Sequence, residues 1–279
     1  MPDWIVHISI ALLLAVILKI KNWKLMITGA VLPDIPRILL IISNYLNFNE
    51  LNSFLILEPL HSPFLNIFES MAIALLFANF FQNFLLVYLG VITHYVLDYF
   101  QFAGKFGHLL LYPFSYEQFS LNLFYGGSLI LLVLGLIVTI MSLYLLKEKN
   151  NLILNKKFYY AIIPIIITLF FVFLTPSKLL ENNVSGSDFV LNPEKYENRE
   201  VSLYHSKVVS LNSAKIEEMG NIFDLEIKEK LELNSFVTIS GIYKDKKIQV
   251  QEIFHNNLNK IYFSLIGLLL YIYLILKKD

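Results

Sequence analysis

What most limits the folds open to this chain is a set of long apolar runs, each close to the roughly 20 residues that a helix needs to cross a bilayer. Seven of them are present, over 4–20, 25–42, 64–81, 84–102, 124–146, 158–174 and 261–276. With 56% hydrophobic and 16% charged residues, the chain has too little polar residue to coat a soluble globule. A membrane protein follows. No basic segment precedes the first run, which reads as a retained span rather than a cleaved signal. Zero formal net charge gives no basic field for nucleic acid. The absence of cysteine excludes disulfides and thiolate ligands, leaving imidazole and carboxylate as the strong metal donors.

Basic residues gather in alternate connections: Lys19, Lys21 and Lys24, then Lys147, Lys149, Lys156 and Lys157, then Lys277 and Lys278. The short connections on the other side hold only Lys105. The positive-inside rule makes the lysine-rich connections and the carboxyl terminus cytoplasmic, and the amino terminus extracytoplasmic. The expected fold is an all-α polytopic membrane bundle of about seven spans with a small all-β module inserted before the last. Proline 33 and proline 36 should break the hydrogen bonding of the second span.

The module is expected where the composition turns polar, from about 183 to 257. Short alternating runs such as Val201-Ser202-Leu203, Phe236-Val237-Thr238-Ile239 and Lys247-Ile248-Gln249-Val250 read as half-buried strands. Asn182-Asn183 and Ser185-Gly186-Ser187 read as a linker, and Gly241 and Lys244-Asp245-Lys246 as turns. The stretch 201–254 resembles an OB-fold, a class that often binds oligonucleotides or sugars. Residues 188–252 contain twelve acids against nine bases, without the basic groove that nucleic acid requires. A lid, a docking platform or a surface for a protein partner is the expected role.

Against this apolar background, ionisable residues stand out. His7, Asp34, His61, His94, Asp98 and His108 lie in or beside the apolar runs. A charged group at a bilayer centre costs about 3 kcal/mol even on the lenient insertion scale, so such residues have partners and usually a function. His94 and Asp98, at i and i+4, share one helical face and can offer nitrogen and oxygen to one ion or to two adjacent ions. The positive-inside orientation brings all six toward the outer surface. Each also has a structural reading: His94 and Asp98 as a hydrogen-bonded couple, His7 as an interfacial residue, Asp34 as the cap of a half-helix after a proline break, His61 and His108 as loop residues. Arg37, three residues past Asp34, carries a fork suited to phosphate or carboxylate. Glu69, about two turns beyond His61, can orient a ligand or act as a base.

The order of these motifs resembles the YdjM-type inner-membrane metal-dependent hydrolases. It runs His7, then Gly-x-x-x-Pro-Asp (Gly29 to Asp34), His61-Ser62, Thr-His-x-x-x-Asp (Thr93 to Asp98) and Leu-x-x-Pro-Phe-Ser (Leu110 to Ser115). Two positions depart from the family pattern: Pro36 where a second acid is common, and Glu58-Pro59-Leu60 where His-Arg often precedes the His-Ser. The resemblance covers about the first half of the chain. It implies a distant likeness to zinc-dependent phospholipase C, a zinc or manganese ion on the His and Asp residues, and a phosphoester or lipid-derived substrate. The implied layout is a hydrolase-like membrane core over 1–122, an additional transmembrane hairpin over 123–181, an extracytoplasmic OB-like domain over 182–258 and a last transmembrane helix over 259–279. A non-catalytic membrane scaffold or assembly factor is the competing reading. A transporter using His and Asp as an ion relay would show inverted repeats, and none is present in the sequence.

Overall fold

The computed structural model of the protein describes residues 4–101, 107–123, 128–146, 150, 152–211, 214–227, 229–256 and 259–277. Lys105, Lys147, Lys149 and Lys278, part of the charge pattern, lie outside the described residues, as do the ends of the 84–102 and 124–146 runs and residue 257 of the expected module. The helices are α1 (Trp4–Ile17), α2 (Trp23–Val31), α3 (Ile35–Tyr45), α4 (Glu50–Leu57), α5 (Pro63–Leu75), α6 (Phe80–Phe100), α7 (Leu129–Leu145), α8 (Ile162–Leu174), α9 (Pro176–Glu181) and α10 (Ser187–Leu191). Strands β1 (Arg199–Ser210), β2 (Lys215–Glu218), β3 (Asn221–Glu226), β4 (Phe236–Lys244) and β5 (Lys247–Asn256) follow, and α11 (Asn259–Leu276) comes last.

The expectation of an all-α bundle with about seven spans is corrected. Among the described residues two helical stretches are long and apolar enough to cross a membrane, Trp23–Tyr45 with 23 residues and Phe80–Phe100 with 21. The other apolar helices, Trp4–Ile17, Pro63–Leu75, Leu129–Leu145, Phe158–Leu174 and the described Ser264–Leu276, are shorter. The 14-residue α1 reaches only about 21 Å at 1.5 Å per residue, less than a hydrocarbon core of about 30 Å. Apolar counting overshot because it cannot see helix ends. Lys19 (φ 51°) and Asn79 (φ 61°) take left-handed conformations that stop or start helices inside the counted runs. Pro63 begins α5 afresh, and the 158–174 run opens with a 3-10 turn. The fold is mixed, a helical core joined to a five-stranded barrel.

Helix α6 runs through the centre of the core and packs most closely on α2. At the crossing, a Cβ on Gly29 would lie 1.8 Å from the Val87 carbonyl oxygen, and one on Gly90 would lie 2.0 Å from that of Met26. The two backbones touch there, as small residues allow helices to do in membranes. The second long stretch does bend where its prolines predict: Pro33 has no N–H, and Leu32–Asp34 tightens into a 3-10 turn between α2 and α3. Helix α7 is held on α1 by polar atoms, the Ser9 hydroxyl donating to the Gly135 carbonyl (2.8 Å) beside Thr139 Oγ1 (3.1 Å). Helix α8 lies on α5, with the Phe64 and Phe171 rings edge to face at 5.1 Å.

The five strands close into a barrel in the order β1-β2-β3-β5-β4. Strands β3 and β5 are parallel, and the other neighbours are antiparallel. This is an OB-like barrel, and its closure leaves no exposed sheet edge. Inside are Val201, Leu203, Val208, Ile216, Val237, Ile239 and Ile248. Phe189 of α10 plugs one end, stacking on Phe223 (5.0 Å) and meeting Tyr243 edge-on (5.2 Å). Asp245 and Lys246, at φ 51° and 61°, make the two-residue turn between the paired Lys244 and Lys247.

Two local expectations change. Gly241 is not a turn; it lies within β4 beside a register shift, where a Cβ would come 2.2 Å from the Gln249 carbonyl oxygen. Residues 183–187 are a hydrogen-bonded corner, buried from Val184 onward, rather than a loose linker. Asn183 Oδ1 accepts the backbone amides of Asp188 and Phe189 at 3.0 Å, and Val184 to Ser187 are buried. Leu51, Phe54 and Leu55 of α4 and Leu179 of α9 share one hydrophobic cluster with Val201, Leu203 and Ile216, which seats the barrel on the helices.

The α2–α6 contact yields a stability prediction. Gly29→Ala forces backbone against backbone and should destabilise the protein by about 3 kcal/mol. Gly135→Ala, whose Cβ would meet movable side-chain atoms at 3.1 Å, should cost under about 1 kcal/mol. Thermal unfolding of the two variants in detergent measures the difference, and equal losses would contradict the close crossing.

Candidate metal centre

The six histidine and aspartate residues expected at a common depth meet at one end of the helical core. Helix α6 contributes His94 and, one turn later, Asp98. The α2–α6 crossing sets the first of these: His94 Nδ1–H donates to the Ala30 carbonyl at 2.8 Å. A carbonyl only accepts, so Nδ1 carries a proton, and Nε2 is the ring nitrogen that faces the site. Asp34 arrives on the 3-10 turn, where its carboxylate makes no capping hydrogen bond, so the half-helix cap reading does not hold. His61 arrives on the turn between α4 and α5, a Glu-Pro-Leu 3-10 segment that ends at Ser62, the N-cap of α5. His7 comes from the first turn of α1, and its ring stacks on His94 with centroids 4.1 Å apart.

The distances are short. His94 Nε2 lies 3.1 Å from Asp98 Oδ2 and 3.8 Å from Asp34 Oδ1. His61 Nε2 lies 3.4 Å from Asp98 Oδ2, 3.6 Å from Asp34 Oδ1 and 3.3 Å from His94 Nε2. One ligand atom from each of Asp34, His61, His94 and Asp98 falls within 4.8 Å of all the others, and the four residues are at most 3% exposed. His7 Nε2 approaches the other Asp98 oxygen at 3.3 Å, and the half-buried His108 holds Nδ1 3.7 Å from Asp98 Oδ2. The structure therefore gathers all six, four of them as a compact set and two flanking Asp98.

Simple electrostatics shows what such a set lacks. Two buried carboxylates face imidazole nitrogens, and among the described residues Asp34 Oδ2 and His61 Nδ1 have no hydrogen-bond partner. Buried charge needs compensation. Burial holds the imidazoles of His61 and His108 below the usual range, hence neutral and able to ligate. The nearby cation is already committed, because Arg37 makes a two-pronged ion pair with Glu58, Nη1 to Oε2 at 2.8 Å and Nη2 to Oε1 at 3.2 Å. One divalent cation would cancel both aspartates and bind the imidazole nitrogens that face them. The cluster can hold a metal ion, and its nitrogen and oxygen donors fit one.

Arg37 thus stands at the rim rather than among the ligands. Glu69 touches none of the six. It accepts a 2.5 Å hydrogen bond from Asn66 Nδ2, and the same amide donates to the Leu60 carbonyl at 3.1 Å. Asn66 Oδ1 in turn accepts the Tyr95 hydroxyl at 2.7 Å, and the Tyr95 ring lies against His61 and His94. Sequence reasoning missed Asn66, Tyr95, Glu58 and the Ala30 carbonyl. The spacing of Asn66 and Glu69 at i and i+3 was a signal for the first; the carbonyl leaves none. Within Leu110 to Ser115, the last motif of the series, Tyr112 is buried and its hydroxyl lies 2.5 Å from Thr175 Oγ1, while Leu111 and Phe114 are exposed.

The family model of the YdjM inner membrane protein matches residues 3–178, more than half of the chain. The chain belongs to that family. No curated protein and no solved structure matches it. Membership makes this YdjM-family chain a membrane protein, and every residue of the cluster lies within the matched segment. The OB-like barrel begins after the match ends.

Asn66 binds the turn that carries His61 to the helix that carries His94. Asn66→Leu should weaken divalent-ion binding 10- to 100-fold, the range typical of ligand-orienting partners, while circular dichroism stays unchanged. Zinc competition against a fluorescent chelator reads it. Undiminished affinity would show that the cluster is positioned without this residue.

Proposed function

We propose that this YdjM-family protein is a membrane-embedded metal-dependent hydrolase acting on a phosphoester or lipid-derived substrate at the outer face of the membrane. The observation that carries the reading is His94 Nε2, held by the Nδ1 hydrogen bond to the Ala30 carbonyl so that it faces Asp34 and Asp98 in a buried site. Asp34, His61, His94 and Asp98 would hold the ion, with zinc favoured by the imidazole and carboxylate set and manganese second. When bound, the ion would supply Lewis acidity and lower the pKa of a water toward neutral. His7 and His108 flank Asp98 and keep both of its oxygens directed inward. Arg37 keeps donors beyond the two spent on Glu58, and a phosphoryl oxygen reaching the rim would meet them. Glu69 works through Asn66 as a positioning residue.

The outer location rests on charge. Lys24 Nζ donates to the backbone carbonyl of Lys277 at 2.6 Å and its amide to Asn150 at 3.1 Å, so the lysine-bearing segments meet at one end of the molecule. His7 and the cluster lie toward the opposite end of α1, and the positive-inside rule favours the lysine end as cytoplasmic. Single cysteines, clean in a chain that has none, test this. An impermeant maleimide applied outside should label position 210 and spare position 150, and the reverse pattern would invert the orientation.

The second reading is a non-catalytic scaffold in which a structural ion braces the helices and the barrel engages a protein partner. The near-complete burial of the four ligands favours it. Nucleic acid remains an unsuitable partner for so acidic a module. Chelation followed by zinc or manganese separates the readings: the hydrolase loses and regains phosphoester cleavage, while a scaffold that retains its ion and cleaves nothing in a broad phosphoester and lipid screen takes over. Asp98→Asn should lower ion content and turnover together. Because Arg37→Ala alone strands the buried Glu58, the paired change Arg37→Ala/Glu58→Gln is the informative one. It should keep the ion and slow turnover about 100-fold.

A further inference from the structure

Unlike His7, His94 and Asp98, His108 sits on no helix. It reaches Asp98 from a loop closed by two backbone bonds, His108 N–H donating to the Phe119 carbonyl (3.0 Å) and Phe119 N–H to that of His108 (3.1 Å). Its Nδ1 is buried, has no hydrogen-bond partner among the described residues and stands 3.7 Å from Asp98 Oδ2. At that distance the placement of the His108 backbone decides how the ring bears on Asp98.

The residue beside Phe119 supplies a hold on that backbone. Gln118 Nε2 donates to the Gly107 carbonyl and to Ser185 Oγ, each at 3.2 Å, and Gln118 Oε1 accepts the Ser185 backbone N–H at 3.2 Å. A backbone N–H only donates and a carbonyl only accepts, so both ends of the amide are fixed by what they face. One side chain thus clasps the residue before His108 to Ser185. Ser185 is buried, lies beyond the family-matched segment and holds a left-handed conformation at φ 52°. A non-glycine residue there costs about 1 kcal/mol, which the bonds from Gln118 help to offset. The next residue, Gly186, packs so closely on β1 that a Cβ would lie 2.8 Å from the Ser202 carbonyl oxygen and 3.0 Å from Leu203 Cδ2. Contact is therefore continuous from the barrel wall through Gly186, Ser185, Gln118 and Gly107 to His108.

We propose that Gln118 is a positioning residue through which the OB-like barrel holds His108 against Asp98 and so tunes the affinity of the metal centre, a role that rests on the ion-binding reading of the cluster and not on the reaction. The barrel then acts on the site through hydrogen bonds instead of serving as a tethered module. Only an amide of this length meets the requirement, because glutamate would set an acceptor against the Gly107 carbonyl and methionine would fill the space without any of the bonds.

Zinc competition against a fluorescent chelator, on full-length protein in detergent, reads the effect. Gln118→Met should weaken zinc binding about tenfold, the lower end for partners that orient ligands. Ser185→Gly keeps the left-handed turn, removes the hydroxyl and should weaken binding about threefold. In a His108→Ala background both losses should shrink to under about twofold, since residues that act through one contact are not additive. Unchanged zinc affinity in either folded single variant, or losses that persist in full without His108, would make Gln118 a packing residue and overturn the proposal while leaving the ion site standing. Should Gln118→Met fail to fold, Ser185→Gly with and without His108 decides by the same criterion. Wild-type protein that binds no zinc removes the metal centre itself, and the role of Gln118 with it.

Discussion

The contact on which the rest depends is the touch of α2 and α6, backbone against backbone. Gly29 and Gly90 have no Cβ, and the space for one is already filled by carbonyl oxygens. That closeness lets the Ala30 carbonyl accept the Nδ1 proton of His94. The proton on Nδ1, the aim of Nε2 and the position of Asp98 one turn on all follow from it. The site is therefore a product of helix packing, which makes it more rigid than a loop-borne site would be.

Charge balance then decides what the cluster can be. Arg37 and Glu58 cancel each other at the rim, leaving Asp34 and Asp98 buried among imidazoles that supply no compensating charge while neutral. A chain that spends apolar surface so freely would find isolated carboxylates costly at this depth. A divalent cation resolves the imbalance with the donors in place. The barrel shares one hydrophobic cluster with α4 and α9.

Much of the site was legible in the sequence because physics makes ionisable residues conspicuous in apolar runs. His7, Asp34, His61, His94, Asp98 and His108 could be singled out by type and depth, and the structure gathers them. The barrel strands were visible through alternation at 201–203, 236–239 and 247–250. Span number was not legible, because left-handed residues such as Lys19 and Asn79 end helices inside unbroken apolar stretches. The fork of Arg37 is legible as an anion binder, but nothing in the sequence marks Glu58, in a segment notable only for departing from the family pattern, as its partner. Backbone groups such as the Ala30 carbonyl carry no sequence signature at all.

The central claim is that Asp34, His61, His94 and Asp98 together hold one divalent ion. X-ray absorption at the zinc edge of zinc-loaded protein tests it most directly, since it reads the donor atoms around the metal without reference to activity. The account predicts a shell of nitrogen and oxygen at about 2.0–2.2 Å, with the outer-shell pattern of two imidazoles. Replacing His94 by Ala should reduce that pattern to one. A spectrum of six water-like oxygens without imidazole scattering, unchanged in the variant, would contradict it.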